Sequence, residues 1–562
     1  MQIKNVIYDG RIDLCDLLRS TGFSDNSRLL IQVFAGIGDP EQIRRIQRLV
    51  GEYFPHAALI GATSAGEILD GRLQEKSVLF SFCQFENTEL QVVVAAGAAD
   101  SSALGEQVGA HFQHYPPRLL LTFANARSVN GEDYVKGIGR LCPDMIIAGG
   151  LAGDLLLHDQ GYVFNHDCIT GEGAVAVALY SDSLQVQNRY SLDWVPLGKE
   201  LRITHADKNR VYTIEDIPAA EVYARYLGQE STELLPVLGV HFPLIRTHQG
   251  ICVAHACIAK NPDGSLDFMG NMETGAYVRF GIGDTGTMLA SAARHCRELA
   301  EWNPEGLFVF SCQARKLLMQ SLVDKEIDHI HSVAPMAGFF TSGEFFSLPS
   351  GNEFFNYTLT VLALREGEAR GKAQPCPEVE IEVNPVFKAL THLVNVTARE
   401  LETLAGTDQL TGLYNRRSAQ EQLCKALESS RRYGHSLVLI MFDVDHFKRI
   451  NDSLGHHMGD LALREVTRIT RDVIRRTDVF GRWGGEEFLL ICSETGREGG
   501  LELAERIRHG VECAAGQALR ETTISVGITV SLPNDTVDDL LRRVDEALYL
   551  SKKSGRNQVS CL

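Results

Sequence analysis

No apolar stretch in this 562-residue chain approaches the roughly 18 to 20 residues that a membrane-crossing helix requires, so no transmembrane segment is expected. Positive charge is scarce. With 54 Lys and Arg against 72 Asp and Glu, a formal net charge of −18 excludes a broad nucleic-acid surface, which needs a local excess of cations. It is silent about single nucleotides. The 13 cysteines form no CxxC pair and no disulfide-like rhythm, and the first residues lack the basic-then-apolar order of a signal peptide. These absences lead us to expect free thiols, a cytoplasmic location and a stimulus that arrives inside the cell. What is present, 44% apolar and 22% charged residues, is the composition of a soluble globular protein, and the length implies three or four domains.

The stretch EGEARGKAQPCPEVEIEVNP (366–385), rich in charge, Gly and Pro, marks the main boundary. After it, Phe387, Leu390, Val394, Thr397, Leu401 and Leu404 follow one another at steps of three and four, the spacing of a helix–helix seam. That pattern serves either a short coiled coil or an amphipathic helix packed on its own domain. Before the boundary the sequence is rich in strands and Gly and repeats itself. LLIQVFAG (29–36) precedes LIGATSAGE (59–67), LLLTFANAR (119–127) precedes IAGGLAGD (147–154), and LFVFSCQAR (307–315) precedes PMAGFFTSGE (335–344). Each unit places a buried-type strand about 30 residues before a segment ending in small residues, Gly and an acid, which predicts a duplicated strand–loop–helix–strand unit and layered α/β halves.

The segments GATSAGEI, GGLAGD, FVFSCQAR, MAGFFTSGEFF and FFNYTLTVLAL resemble the recurring segments of the FIST sensory region over about residues 25–365. The resemblance implies layered α/β halves, 1–215 and 216–378, that bind an unknown small ligand. Gly66, Glu67, Gly153, Asp154, Gly343 and Glu344 either line its pocket or serve as turn glycines followed by helix-capping acids. His241, His248 and His255 recur at steps of seven near Cys252 and Cys257. Pro243 and Gly250 argue against one continuous helix, and odd steps on a strand alternate faces, so a multidentate metal site is not expected. Because some FIST-like proteins bind haem, the resemblance leaves a single histidine on a haem open.

In SLVLIMFDVDHF (436–447) a buried strand delivers Asp443 and Asp445 to the same side at its end. RWGGEEF (482–488) places Glu486 and Glu487 on a turn between two further strands. If those strands are neighbours, Asp443, Glu486 and Glu487 converge, and converging carboxylates repel unless cations such as Mg²⁺ or Mn²⁺ lie between them. Gly484 and Gly485 would let phosphates approach the backbone. Lys448, one helical turn past the strand, suits a transferring phosphoryl group. Asn451 and Asp460 offer the amide and carboxylate that match a guanine edge. Lys552 and Arg556, four apart on a helix expected to end at Gly555, could clamp β and γ phosphates.

DQLTGLYNRR (408–417), FDVDHFKRINDSLGHHMGD (442–460), RWGGEEF and ALYLSKKSGRN stand in the order and spacing of the GGDEF family of diguanylate cyclases, over about 407–562. The resemblance implies a palm-like α/β domain whose sheet contains antiparallel strands, and the condensation of two GTP into cyclic di-GMP and two pyrophosphates by a homodimer. Asp443, the Val444 carbonyl and Glu486 would hold the metals, with Glu487 assisting. Asn451, His456 and Asp460 would hold GTP, Lys448 would stabilise the transition state, and Glu486 would take the proton of the attacking 3′-hydroxyl. Arg475 and Asp478 in RRTD, with Arg506, resemble the family's inhibitory product site, although an isolated RxxD also suits a helix-end ion pair. The expected fold is therefore multidomain α/β: two FIST sensory parts, a linker helix (379–406) and a GGDEF domain (407–562). The expected function is a ligand-regulated diguanylate cyclase. A cyclic di-GMP receptor with vestigial catalysis is the alternative, and cyclisation of ATP fits Asp460 poorly.

Overall fold

The computed structural model describes residues 1–153, 161–248, 251–369, 376, 385–514 and 522–562. The chain divides into two compact units, Met1–Asn395 and Val396–Leu562.

The first unit is built from three copies of one motif. Each copy opens with a strand (Gln2–Tyr8, Glu89–Ala95, Leu184–Ser191). A parallel pair follows: Leu29–Ala35 with Ala58–Thr63, Leu119–Asn125 with Ile146–Ala152, and Gly306–Cys312 with Met336–Thr341. Next comes a hairpin beginning at Glu67, Val163 or Glu344, and a closing strand (Val78–Gln84, Ala174–Tyr180, Leu359–Glu366). The hairpins do not stay at home. Glu67 of the first copy is in register with Phe339 of the third, Glu344 of the third with Gly150 of the second, and Val163 of the second with Ala62 of the first. Each of the three six-stranded sheets is thus completed by a neighbouring copy. Apolar residues of all three copies meet in one core, where Phe34 and Phe339 stack at 4.7 Å and Phe123 meets Phe339 edge-on at 5.3 Å.

An eight-stranded sheet between Trp194 and Gly283 interrupts the third copy, and position 215/216 falls within it. Arg315 is fully buried where this copy turns from strand to helix. Its guanidinium donates to Glu326 Oε1 and Oε2 from Nε at 3.0 and 3.1 Å, to the Ser191 carbonyl at 3.2 Å and to Asp193 Oδ2 at 3.1 Å. One cation therefore fixes the opening strand, the helix Val323–His331 and the loop leading into the inserted sheet.

Cysteine spacing led us to expect free thiols, but Cys296 and Cys376 form a disulfide. The partners lie 80 residues apart and meet only because of tertiary packing, which no local spacing can reveal.

Helix α1, Pro385–Gly406, carries the expected seam. Leu390 and Val394 are 56% and 46% exposed, beside the exposed Leu393. Leu401 and Leu404 fall outside the described side chains. Asn395 donates to the Pro196 carbonyl at 3.0 Å and accepts from Gly198 N at 3.0 Å, tying the helix to the inserted sheet.

The second unit is a five-stranded sheet in the order β2–β3–β1–β4–β5, with β1 Leu437–Val444, β2 Val479–Arg482, β3 Glu487–Ser493, β4 Ile524–Val530 and β5 Val559–Cys561. All pairs are antiparallel except β4 with β5. Alternation along β1 sends Leu437, Leu439 and Met441 to one face, packed on α2 (Arg416–Tyr433) and α6 (Val537–Lys553). Val438, Ile440 and Phe442 go to the other, packed on α4 (His456–Val473) and α5 (Arg497–Ala514). A short helix α3, Phe447–Leu454, joins β1 to α4. No described helix is long and apolar enough to cross a membrane.

Replacing Arg315 by Met should strand Glu326 and Asp193 in the interior and destabilise the first unit by about 3–5 kcal/mol, read from urea unfolding. Adding Glu326→Gln should restore part of that loss.

Candidate active site

The register of β1 and β3 settles the convergence expected of the three acids. Asp443 stands directly opposite Glu487, and Val444 N donates to the Glu486 carbonyl at 3.2 Å. Asp443 shares the parity of Leu437 and Met441, so it points to the α6 face, where Lys552 Nζ lies 2.9 Å from its Oδ2. α6 can lie this close because Gly527 of β4 has no side chain: a methyl there would collide with the backbone of Val544 and Leu548. Burial pushes the Asp443 carboxyl up to about 6 against the opposing pull of Lys552, and the charges of Glu486 and Glu487 add to the rise. Glu486 and Glu487 are half-buried.

The turn that presents these acids is braced from below. Trp483 N and Gly484 N donate to the Glu487 carbonyl at 2.8 and 3.2 Å. Arg482 donates to the Gly485 carbonyl at 2.6 Å and makes a two-pronged pair with Asp408 at 3.0 and 3.1 Å. Neither Gly484 nor Gly485 needs a positive φ. Gly484 is instead confined by the Glu487 carboxylate, which a methyl would meet at 2.6 Å, while Gly485 faces open space. Sequence reasoning missed Asp408 and Arg482. The available signal was a lone Arg immediately before the Trp-Gly-Gly turn, which had no role in a purely ligand-centred reading.

Lys448 lies exposed on the first turn of α3 and makes no ion pair among the described residues. Asn451 lies near the end of α3, its side chain over Gly459 of α4, where a methyl would collide with its Oδ1. Exposed His456 and Asp460 occupy the first turn and a half of α4, so these three polar groups cluster where the two helices meet. One expectation needs correction. α6 ends at Lys553, and Arg556 follows it in a left-handed turn, with φ of 62°, so Lys552 and Arg556 do not share a helix face. Arg556 reaches the same corner by the turn, its Nε 4.0 Å from Asp445 Oδ1.

Arg475 and Asp478 form a tight turn between α4 and β2 rather than a helix-end ion pair: Asp478 Oδ2 accepts from Arg475 N at 2.8 Å. The Arg475 guanidinium is exposed, and Arg506 on α5 donates to the Val473 carbonyl at the end of α4, at 2.6 Å.

In the first unit, Glu67 and Glu344 are buried, and neither caps a helix, because each opens a hairpin strand. Ser64 and Ser77 hydroxyls donate to Glu67, whose carboxyl burial pushes up to about 7. Gly66, Gly153 and Gly343 all adopt φ near +140°, the conformational need a glycine meets. Asp154 lies outside the described residues. His241 ends a short helix, and the His248 side chain lies outside the described ones. His255 is buried with Nδ1 3.2 Å from the Met269 carbonyl, and burial pushes its pKa down. Among the described residues of the first unit no group of three or more His, Cys, Asp or Glu is placed to hold a metal.

Comparison with known proteins places these features. Residues 405–558 match the diguanylate cyclase GGDEF domain, 29–217 the FIST N domain and 219–347 the FIST C domain. The chain carries FIST N, FIST C and GGDEF domains in that order. Diguanylate cyclase DgcM of Escherichia coli K12 is 34% identical to it over 215 residues, which are 38% of this chain and 52% of that protein. The response regulator PleD of Caulobacter vibrioides is 41% identical over 162 residues, 28% of this chain and 36% of that protein. The FIST–GGDEF chain thus spans about half of the first relative and about a third of the second. The solved GGDEF domain of DgcB from Caulobacter crescentus, in complex with c-di-GMP, is 32% identical, with a TM-score of 0.27 over 28% of this chain and 93% of that one.

Because the folded GGDEF unit holds the Asp443 proton more tightly than the unfolded chain does, ionising Asp443 costs stability as pH rises from about 4 to about 6. The metal-free Asp443→Asn variant should therefore gain stability over the wild type through that window and keep a constant advantage above it, measured by urea unfolding at each pH. Mg²⁺ at pH 7.5 should raise the melting temperature of the wild type and leave the variant unmoved.

Proposed function

We propose that the chain is a diguanylate cyclase that condenses two GTP into cyclic di-GMP and two pyrophosphates under control of its FIST input. The observation that carries the reading is the Asp443 carboxylate, buried opposite Glu487 and beside Glu486, with one ammonium as its cationic partner. Such a site is unfavourable for its own sake and favourable once further positive charge enters. Its donors are all oxygen, which fits Mg²⁺ or Mn²⁺ held by Asp443, the Val444 carbonyl and Glu486, with Glu487 assisting. When bound, such a cation neutralises the charge of a triphosphate. The named relatives that are diguanylate cyclases support the same reading.

The remaining roles belong to the chain itself. Asn451 and Asp460 present an amide and a carboxylate to the guanine edge, with His456 beside them, and this acceptor-and-donor pattern selects GTP over ATP. Lys552 and Arg556 attract the β and γ phosphates, with Gly485 leaving the turn open on that side. Lys448 steadies charge on the transferring phosphoryl group, and Glu486 accepts the proton of the attacking 3′-hydroxyl. One domain holds one GTP, so two copies must face each other for each hydroxyl to lie in line with the other's α-phosphate. The exposed apolar face of α1 supports pairing of two chains, through which the FIST region would set how often the two sites meet. The exposed Arg475, the Asp478 carboxylate and Arg506 suit the phosphates and guanine of cyclic di-GMP as an inhibitory site. The input ligand is a small molecule that no side-chain cluster among the described residues specifies, and nothing there singles out haem.

Incubating the full chain with GTP and Mg²⁺ should release pyrophosphate and yield the cyclic dinucleotide, and Glu486→Gln should cut the rate by about 10²–10³ or more. Product binding without pyrophosphate release would instead identify a receptor. Arg475→Ala should leave the initial rate intact and abolish the slowing as product accumulates, followed as a progress curve. Leu390→Asp should lower the rate at low protein concentration more than at high, if α1 pairs the chains.

A further inference from the structure

Two residues after Asp443, a second carboxylate is buried with no route to substrate. Asp445 is 4% exposed. Its oxygens accept from Thr523 Oγ1 at 2.8 Å, Ser525 Oγ at 2.7 Å and Asn557 N at 3.1 Å, and Arg556 Nε lies 4.0 Å away. Its own N–H donates to the Thr523 carbonyl at 2.9 Å. Every partner sits either at the start of β4 or on the turn that follows α6.

That turn is conformationally costly. Gly555, Arg556 and Asn557 have φ of 116°, 62° and 43°; Gly and Asn tolerate the left-handed region, whereas the Arg556 side chain disfavours it by roughly 1–2 kcal/mol. Such a turn persists only where its surroundings over-determine it. The surroundings here are two clamps. Asp445 takes the Asn557 backbone N–H and attracts the Arg556 side chain, while the Asn557 side chain accepts from Arg508 at 2.9 Å and donates to Glu512 at 2.8 Å. Thr523 and Ser525 could be satisfied by any acceptor. Only a carboxylate also offers the negative charge that a strained N–H and a guanidinium reward.

We infer that Asp445 is a positioning residue for the triphosphate: by holding the 555–557 turn in its left-handed form it aims Arg556, alongside Lys552 at the end of α6, at the β and γ phosphates. The inference rests on the reading that GTP binds at Asp443. It predicts a defect confined to the phosphate end of the substrate, since the guanine-facing groups on α3 and α4 do not touch this clamp.

The test uses the full chain with Mg²⁺ and two probes, a non-hydrolysable GTP analogue and GMP, titrated calorimetrically against the wild type, Asp445→Asn, Arg556→Ala and the double variant. Asp445→Asn should weaken the analogue about tenfold, the scale of one lost charge-assisted contact, while GMP affinity stays within about twofold. In turnover, KM for GTP should rise more than kcat falls. The double variant should be no weaker than Arg556→Ala alone, since both act through one group. Equal weakening of analogue and GMP, additive losses, or no change would each overturn the positioning role and leave the cyclase reading standing. A wild type that binds no analogue would overturn both. If Asp445→Asn does not fold, Ser525→Ala removes a single hydrogen bond to the same carboxylate and should weaken the analogue about threefold without affecting GMP; equal or absent effects there would again overturn the role.

Discussion

Three carboxylates gather at one end of a sheet, where a single ammonium, that of Lys552, pairs with one of them, and the geometry of the candidate site depends on that imbalance. Asp443 is placed by β1, Glu487 by its register on β3, and Lys552 by a helix that lies against Gly527. None of these positions is free to drift, because each element is anchored by its apolar face. The cost of gathering the negative charge is therefore met by the core, which holds the carboxylates in place before any ligand arrives.

Around this centre lies a shell of supporting residues. Asp408 fixes Arg482, which holds the Gly485 carbonyl, and Asp445 holds the turn carrying Arg556. In both cases an acid acts through an arginine or a backbone N–H on the loop that borders the candidate site. Positions within the site are thus governed by interactions one step removed from it.

Much of the candidate site was legible in the sequence because it is written in local order: a strand ending in Asp443, a Gly-Gly turn carrying Glu486 and Glu487, and an Asn451–Asp460 pair separated by less than three helical turns. The helix of α1 was equally legible, and Leu390 and Val394 of its seam are exposed. What escaped was long-range. Asp408 and Arg482 are 74 residues apart, and Cys296 and Cys376 are 80 apart. The helix end near Gly555 was legible, but Lys552 and Arg556 were placed on one face across it, because a spacing of four reads as an i, i+4 pair whether or not the helix continues. In the first unit the three strand–helix–strand repeats could be read from their Gly-acid endings, but the exchange of hairpins among them could not, since strand pairing across copies leaves no periodic trace.

That exchange bears on how the first unit is made. The partner of Glu67–Leu69 is not translated until Met336–Thr341, and Ile146–Ala152 waits for Glu344–Leu348. A nascent chain halted between the FIST N and FIST C matches would carry open sheet edges with nothing to cover them, and would be liable to pair with other chains. The three copies are in that sense one folding unit, whose assembly is deferred until nearly all of its sequence has left the ribosome.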